Sequence, residues 1–199
     1  MRYIASMSAL ANAAASMTLR DFLSWEEPYE ARWELVEGQP MAMAPATRTH
    51  AAIQAELGRL IANALVEKAS PCSVLINPGI VPRVRSDANF RVPDLGVVCR
   101  GYEKEELCVS EPTLLIEVLS PGNESRTRSN VWTYTTIPSV KEIAIFRTEA
   151  IGAEMLRRGE DGNWPAAAEV VEAGELAFRS IGVQFPIEAV YRTTRLAKG

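Results

Sequence analysis

The chain has 199 residues, of which 47% are hydrophobic and 23% are charged, and its formal net charge is −4. This length and composition predict one globular domain with a substantial core. They argue against a tight non-specific DNA binder, although a local basic patch would be compatible with them, and no apolar run reaches the ~18 residues that a membrane helix requires.

The first segment, MRYIASMSALANAAAS, is rich in Ala and Ser and lacks the sustained apolar core of a signal peptide. A start at Met17 would remove this segment and begin the chain with MTLRDFLSWEE, which predicts a short helix capped by Thr18. We therefore expect residues 1–16 to be a poorly ordered or spuriously included extension, and residues 17–199 to form a single domain.

Two short strands and one long helix are expected next. The stretch RWELVEGQPMAMAP predicts a hairpin that turns at Glu37 and Gly38. Between Thr47 and Ala69 the apolar residues recur at helical spacing, which predicts an amphipathic helix that Pro71 ends.

The rest of the chain predicts mostly strands. SVLINPGIVPRV and FRVPDLGVVCR are expected to form strands on either side of a polar turn, and SEPTLLIEVLSP contains a central strand. SRTRSNVWTYTTI predicts a helix, and VKEIAIFRT predicts the next buried strand. From Ala153 to Phe185 short strands alternate with turns, and FPIEAVY closes with a helical turn. This order predicts an α/β domain with a central mixed β-sheet flanked by helices and a β-rich C-terminal part.

The cysteines are few and widely spaced. Cys72, Cys99 and Cys108 are an odd number and contain no CxxC pair. This pattern predicts free thiols in a reducing, cytoplasmic compartment and argues against a zinc site.

A carboxylate, Glu117, stands at the centre of the apolar stretch TLLIEVL. An unpaired buried charge costs several kcal/mol, so Glu117 should pair with a basic side chain, hold a metal ion or do chemistry. A second carboxylate, Asp94, lies 23 residues earlier, just before the strand LGVVC. If the two strands are neighbours, both carboxylates converge at one edge of the sheet.

The pair is compatible with two roles. Carboxylates without a Cys or His cluster suit a hard divalent cation, which activates water and neutralises charge on a phosphate. The spacing alone is equally compatible with a structural role, in which Asp94 caps a turn and Glu117 pairs with an arginine such as Arg83, Arg85 or Arg91.

The segments VPDLGVV, LLIEVLSPGNESR and WTYTTIPSVKEIAIF resemble, in this order, the Uma-type restriction endonuclease family within the PD-(D/E)XK nuclease superfamily. The upstream WELVEGQPMAMAPATRTHAAI is similar to that family's opening block, and the likeness extends from Thr18 to Thr148. The resemblance implies a restriction-endonuclease-like core with Asp94 and Glu117 as metal ligands. It also implies magnesium as cofactor, DNA phosphodiester bonds as substrate, and a homodimer, since nucleases of this fold commonly pair to cut two strands.

Two further residues match family positions near that site. Glu34, from the opening strand, and His50, the only histidine, would support the metal or orient water. A lone histidine in the first turns of a helix is otherwise more often structural.

The chain departs from the pattern at the expected lysine. The superfamily motif has a lysine two residues after the acid, where this chain has Leu119, and the resembling family supplies it instead four residues before Tyr134, where this chain has Asn130. An amide carries no charge, so Arg126 and Arg128 on the same predicted helix are the candidate replacement cations. Arginine stays protonated and makes a poor general base.

Two classes of function therefore remain open. The first is a metal-dependent endonuclease, weakened by the amide at the lysine position. The second is a nuclease-fold protein that has lost turnover and acts in binding or assembly. Trp132, on the same predicted helix, would stack on bases in the first class or, as aromatic residues in amphipathic helices generally do, pack the helix onto the sheet.

Overall fold

A computed structural model describes residues 16–26, 31–101 and 106–198, so most of the expected N-terminal extension, residues 1–15, lies outside the described residues. No helix within these ranges is long and apolar enough to cross a membrane. The elements in chain order are α1 (Leu19–Leu23), β1 (Trp33–Val36), β2 (Gln39–Ala42), α2 (Arg48–Glu67), β3 (Ser73–Ile76), β4 (Leu95–Val98), β5 (Pro112–Leu119), α3 (Glu124–Tyr134), β6 (Glu142–Arg147), β7 (Ala153–Arg157), β8 (Glu169–Val171), β9 (Glu175–Phe178), β10 (Val183–Pro186) and α4 (Glu188–Tyr191).

The central sheet has six strands in the order β3-β4-β5-β6-β7-β8. Neighbouring strands in this sheet are antiparallel, except for β5 and β6, which are parallel and are joined through α3. The strands β1–β2 and β9–β10 form two separate antiparallel hairpins. The predicted mixed sheet with flanking helices is therefore confirmed.

The core lies on both faces of the central sheet. On one face the apolar stripe of α2, formed by Ile53, Leu57 and Ile61, packs with the β9–β10 hairpin and α4. On the other face Val131 and Tyr134 of α3 pack against the sheet. Because helices cover both faces, β4, β5 and β6 are almost fully buried and carry near-continuous apolar runs.

Local signals placed the first elements correctly. The β1–β2 hairpin turns at Glu37 and Gly38. Both residues have positive φ (52° and 80°), as the central residues of a two-residue type I′ hairpin turn require. The helix α2 begins at Arg48, after Thr47 accepts a hydrogen bond from the amide of His50, and it ends before Lys68 rather than at Pro71.

Trp132 on α3 has 60% of its surface exposed. The expectation that it packs the helix onto the sheet is therefore wrong, and its neighbours Val131 and Tyr134 make that contact instead.

The prediction of three free thiols is also wrong, because Cys72 and Cys99 form a disulfide and only Cys108 of the three is free. In the antiparallel pair β3–β4, Ser73 stands opposite Val98, so the next residues outward, Cys72 and Cys99, face each other across the ladder. Cysteine spacing does not reveal that register. The inference to a reducing compartment rested on free thiols and loses its basis.

Candidate active site

One cavity of about 290 Å³ collects side chains from five parts of the fold. We call it the carboxylate cavity. The predicted site residues that line it come from β1, the first turn of α2, the start of β4, the end of β5 and α3. They are Glu34, His50, Asp94, Glu117 and Asn130, and Arg126 joins them.

The strand register brings Asp94 and Glu117 together. In the antiparallel pair β4–β5, Leu95 stands opposite Ile116, so Asp94 and Glu117 are the next pair outward. Residues opposite each other in such a ladder project to the same face of the sheet. The Asp94 carboxylate also reaches the neighbouring strand, because its Oδ2 accepts a hydrogen bond of 2.7 Å from the amide of Val118.

Asp94 is held mainly by α2. Its Oδ1 lies 2.8 Å from His50 Nε2, and the side-chain amide of Gln54, one turn further along the helix, donates to its backbone carbonyl at 2.8 Å. The other ring nitrogen of His50, Nδ1, lies 3.0 Å from Ser120 Oγ. Because an ionised carboxylate only accepts, Nε2 donates to Asp94, while Nδ1 forms its own hydrogen bond with the Ser120 hydroxyl. His50 thus has both ring nitrogens engaged and a fixed orientation.

Glu117 has neutral partners only. The hydroxyl of Tyr134 donates to its Oε1 at 2.7 Å, and its side chain is 6% exposed. Burial, followed by the negative charge of Asp94, raises the pKa of Glu117 well above its ordinary value, while hydrogen bonds from Tyr134 and Asn130 oppose part of that rise. Burial and the neighbouring Glu117 also raise the pKa of Tyr134 well above its ordinary value, so this phenol stays protonated as a donor.

The other buried carboxylates in the described ranges each have a basic partner, and Glu117 does not. The four pairs are Glu34 with Arg126, Glu56 with Arg59 and Arg192, Asp94 with His50, and Glu142 with Arg157. The arginine-paired alternative for Glu117 is not found: Arg85 pairs with Glu37, the guanidinium of Arg91 donates to Leu35 and Asn89, and Arg83 is exposed and forms no ion pair with Glu117.

Glu34 holds the guanidinium of Arg126, one of two arginines among the described residues that line the cavity. Its Oε2 accepts from Arg126 at 2.9 and 2.6 Å, and its Oε1 accepts from Asn130 and from the amide of Val92, both at 3.0 Å. The Arg126 side chain remains 34% exposed and lines the cavity. The position at which the resemblance implies a lysine, Asn130, is therefore used here to hold Glu34, and the guanidinium of Arg126 lies one turn before it.

Arg128 lies elsewhere. Two residues along a helix correspond to a rotation of about 200°, which turns Arg128 away from the side that carries Arg126. Its guanidinium donates to Glu154 at 2.9 Å and contacts Glu124, and it does not line the carboxylate cavity. Of the two candidate arginines, the structure brings only Arg126 into the cavity.

Two contributors were missed or left undecided by the sequence. The sequence does not single out Gln54 as a site residue, although its position four residues after His50 places both on one face of α2. Ser120, which follows the last residue of β5, contacts His50 through its hydroxyl, and only the tertiary structure shows this contact.

The donor set fits a hard cation rather than zinc. No group of three or more His, Cys, Asp or Glu side chains in the described part of the chain could by itself hold a metal ion. Magnesium needs only one or two carboxylates, since it keeps several waters and takes further oxygens from a phosphate. Asp94 and Glu117 supply two carboxylates, and the unpaired charge of Glu117 is the kind that a cation would neutralise.

The chain is similar to known proteins over most of its length. The profile of the family described as "Uma2: Putative restriction endonuclease" matches residues 19–185. An uncharacterised protein of Synechocystis is 25% identical over 174 residues, which are 86% of this chain and 90% of that protein. A crystal structure described as a "putative nuclease belonging to DUF820" from Anabaena variabilis superimposes with a TM-score of 0.71 and 18% identity, over 88% of this chain and 97% of that one. The latter likeness shows the fold.

Proposed function

Because the chain belongs to the Uma2 family, we propose that it is a magnesium-dependent endonuclease that hydrolyses DNA phosphodiester bonds. The observation that carries the proposal is Glu117, a buried carboxylate beside Asp94 that lacks a basic partner among the described residues. A stable protein would gain by replacing such a charge, unless the charge serves a ligand.

Asp94 and Glu117 would hold the magnesium ion. When bound, that ion would activate water and offset negative charge on the phosphate. His50 serves as a positioning residue, because it links the Asp94 carboxylate to Ser120 and leaves that carboxylate little freedom to turn. Tyr134 donates a hydrogen bond that holds Glu117 in the same way.

Arg126 supplies a fixed positive charge to the site, and Arg32 is a second arginine that lines the same cavity. Glu34 and the carbonyl of Ala42 fix its guanidinium, and a third of its side chain is open to the cavity. A guanidinium stabilises the charge of a phosphate but does not take up a proton. We therefore expect slow cleavage, with Arg126 offsetting charge and with no side chain in the lysine's role.

A second candidate function is binding or assembly without turnover. The observation that favours it is Asn130, whose amide donates to Glu34 at 3.0 Å and adds no charge to the site. In this case DNA would bind in the cavity without being cut.

The deciding experiment is a cleavage assay on single- and double-stranded DNA with increasing magnesium. We expect magnesium-dependent products from the wild type and none from Asp94→Asn or Glu117→Gln, with circular dichroism showing that both variants stay folded. Each substitution removes a charge but little volume, so loss of activity reports on the site. Equal activity of wild type and both variants would contradict the assignment of these carboxylates, and DNA binding without cleavage would favour the second candidate.

We also propose a homodimer. The strand β8 is an edge of the central sheet, and Val170 on it is 50% exposed, so a partner could cover this edge. Light scattering should give about twice the monomer mass of 21.8 kDa, and a monomer alone at micromolar concentration would contradict the proposal. A cytoplasmic location, expected from three free thiols, is a prediction that the Cys72–Cys99 disulfide does not support.

A further inference from the structure

A second depression adjoins the carboxylate cavity. It has a volume of about 840 Å³, and Thr47 and Pro121 line both spaces, so the two share a rim. We call it the arginine groove. Its polar lining includes Arg48, Glu149, Thr194 and Arg195.

The two arginines of this groove have no acidic partner. Arg48 and Arg195 are both exposed, and neither forms an ion pair or a side-chain hydrogen bond within the described ranges. Exposed arginines elsewhere in the chain do have acidic partners, as Arg128 has in Glu154 and Arg192 has in Glu56. Glu149 is the one carboxylate among the groove residues, so the groove carries a net positive charge on a protein whose overall charge is −4.

The fold holds both arginines at defined positions. Arg48 is in the first turn of α2, which contains no acidic residue. A cation there is repelled by the positive end of the helix, so Arg48 does not serve to stabilise α2. At the other side of the groove, Arg192 Nε lies 3.0 Å from Glu56 Oε1 of α2, and this ion pair fixes the segment that leads to Arg195.

The direction of the groove follows from α2. Arg48 and His50 are two residues apart and differ by about 200° around the helix, so they serve different spaces on either side of Thr47. His50 lines the carboxylate cavity, and Arg48 lines the arginine groove. A chain of phosphates that has one member in the cavity can therefore continue past Thr47 and Pro121 between Arg48 and Arg195.

We propose that the arginine groove binds the phosphodiester backbone of the DNA strand on one side of the phosphate that occupies the carboxylate cavity. This inference rests on the proposed function. Lys and Arg contacts to phosphate give affinity and register without reading sequence, and each releases condensed counterions. The groove thus sets where the strand lies, and it contributes affinity that depends on salt and not on sequence.

The test is DNA binding measured by fluorescence anisotropy without divalent cations, as a function of salt, with labelled single- and double-stranded oligonucleotides. Arg48→Ala and Arg195→Ala should each weaken binding about tenfold at low salt, as expected for loss of one charge-assisted contact. Each should also reduce the slope of log affinity against log salt by about 0.9 for duplex or about 0.7 for single strands. Glu149→Gln should strengthen binding.

Two exposed arginines outside both spaces provide matched controls. Arg83 and Arg179 are exposed, form no ion pair among the described residues and line neither the carboxylate cavity nor the arginine groove, so Arg83→Ala and Arg179→Ala remove the same charge elsewhere. They should leave the affinity and the salt slope close to wild type. If all four alanine variants weakened binding equally, the effect would come from the change in net charge alone. That result would contradict the proposal that the arginine groove binds the DNA backbone.

The remaining outcomes separate this inference from the proposed function. If the wild type cleaves DNA, and Arg48→Ala and Arg195→Ala bind DNA as tightly as the wild type, only the proposed role of the arginine groove is contradicted. A wild type that never cleaves but loses affinity in these two variants would overturn the endonuclease and leave the groove in place. Absence of any DNA binding by the wild type would overturn both.

Discussion

Two glutamates on neighbouring parallel strands show how one residue type can have opposite roles. Glu117 on β5 and Glu142 on β6 both lie in apolar strands and are 6% and 2% exposed. In the β5–β6 register Glu142 stands opposite Leu114, and Glu117 stands opposite Ile145, three residues further along each strand. The two carboxylates therefore lie three residues apart along the strand direction of the β5–β6 pair.

Their partners differ in kind. Glu142 accepts from Arg157 Nε at 2.9 Å and from the amides of Arg179 and Ser180 at 3.1 and 2.7 Å. Its charge is neutralised, and it ties β6 to the turn after β9. Glu117 has a phenol and an amide beside it and a second carboxylate nearby. The difference teaches that burial of a carboxylate does not identify a site, whereas burial without a cation does.

The largest expected effect concerns stability. Glu142→Gln should lower the unfolding free energy by about 3 kcal/mol, because it breaks a buried ion pair and leaves Arg157 without its inner partner. Glu117→Gln should be neutral or stabilising in metal-free protein, since it removes a charge that no cation offsets. Urea unfolding of both variants checks this prediction. An equal decrease in unfolding free energy for both variants would contradict the difference between the two glutamates.

The next effect concerns catalysis at the lysine position. Asn130→Lys should raise magnesium-dependent DNA cleavage by about 10²–10³, the range for one well-placed electrostatic contact in an active site. The new ammonium would lie where Asn130 now contacts Glu34 and Glu117. Steady-state cleavage rates of variant and wild type decide the point. Brisk wild-type cleavage that Asn130→Lys does not change would mean that the cation is already supplied from elsewhere.

The pH dependence of stability should sharpen the contrast. Burial and Asp94 raise the pKa of Glu117 above its ordinary 4.5 in the folded protein, so the folded state binds this proton more tightly than the unfolded state does. Its contribution to stability is complete below about pH 4.5 and is lost as the pH rises through the higher, folded pKa, with a slope of at most about 1.4 kcal/mol per pH unit.

Thermal unfolding across pH checks this prediction. Glu117→Gln should remove the slope, and Glu142→Gln should keep it. Saturating magnesium should flatten it in the wild type, because a bound cation favours the ionised carboxylate. A metal-free wild type as flat as Glu117→Gln would contradict the raised pKa.

The smallest expected effect is at Arg128. Its ion pairs with Glu154 and Glu124 lie on the surface, so Arg128→Ala should change the unfolding free energy by less than about 1 kcal/mol and leave cleavage unchanged. Arg126→Ala, two residues earlier, should reduce cleavage and destabilise the fold, because it leaves Glu34 buried without its cation. Equal effects of the two variants would show that the arginines of α3 are not distinguished by their position.

The sequence predicted much of this fold because its local signals are strong. The Glu37–Gly38 turn, the apolar stripe of α2 and the apolar run around Glu117 each follow from short-range chemistry, and the resemblance placed Asp94 and Glu117 in one site. What failed depended on contacts between distant segments. The Cys72–Cys99 disulfide needs the β3–β4 register, and the choice of Arg126 over Arg128 needs the position of Glu34 on a hairpin 92 residues away.

The partners of Glu142 also could not be predicted from the sequence. VKEIAIF gives no sign that its glutamate is buried and paired, because Arg157 and the amides of Arg179 and Ser180 reach it from 15 to 38 residues later in the chain. A sequence can therefore locate a charge in a strand, but the partners that decide its role come from tertiary structure.

The most direct test is isothermal titration of magnesium into the metal-free protein, repeated in buffers of different ionisation enthalpy and across pH. We predict saturable binding by the wild type that releases a proton from Glu117 at pH values below its raised pKa. Glu142→Gln should bind magnesium in the same way, and Glu117→Gln should bind it far more weakly and release no proton. Magnesium binding by Glu117→Gln with the affinity and proton release of the wild type would contradict the assignment of Glu117 as the uncompensated charge that holds the metal.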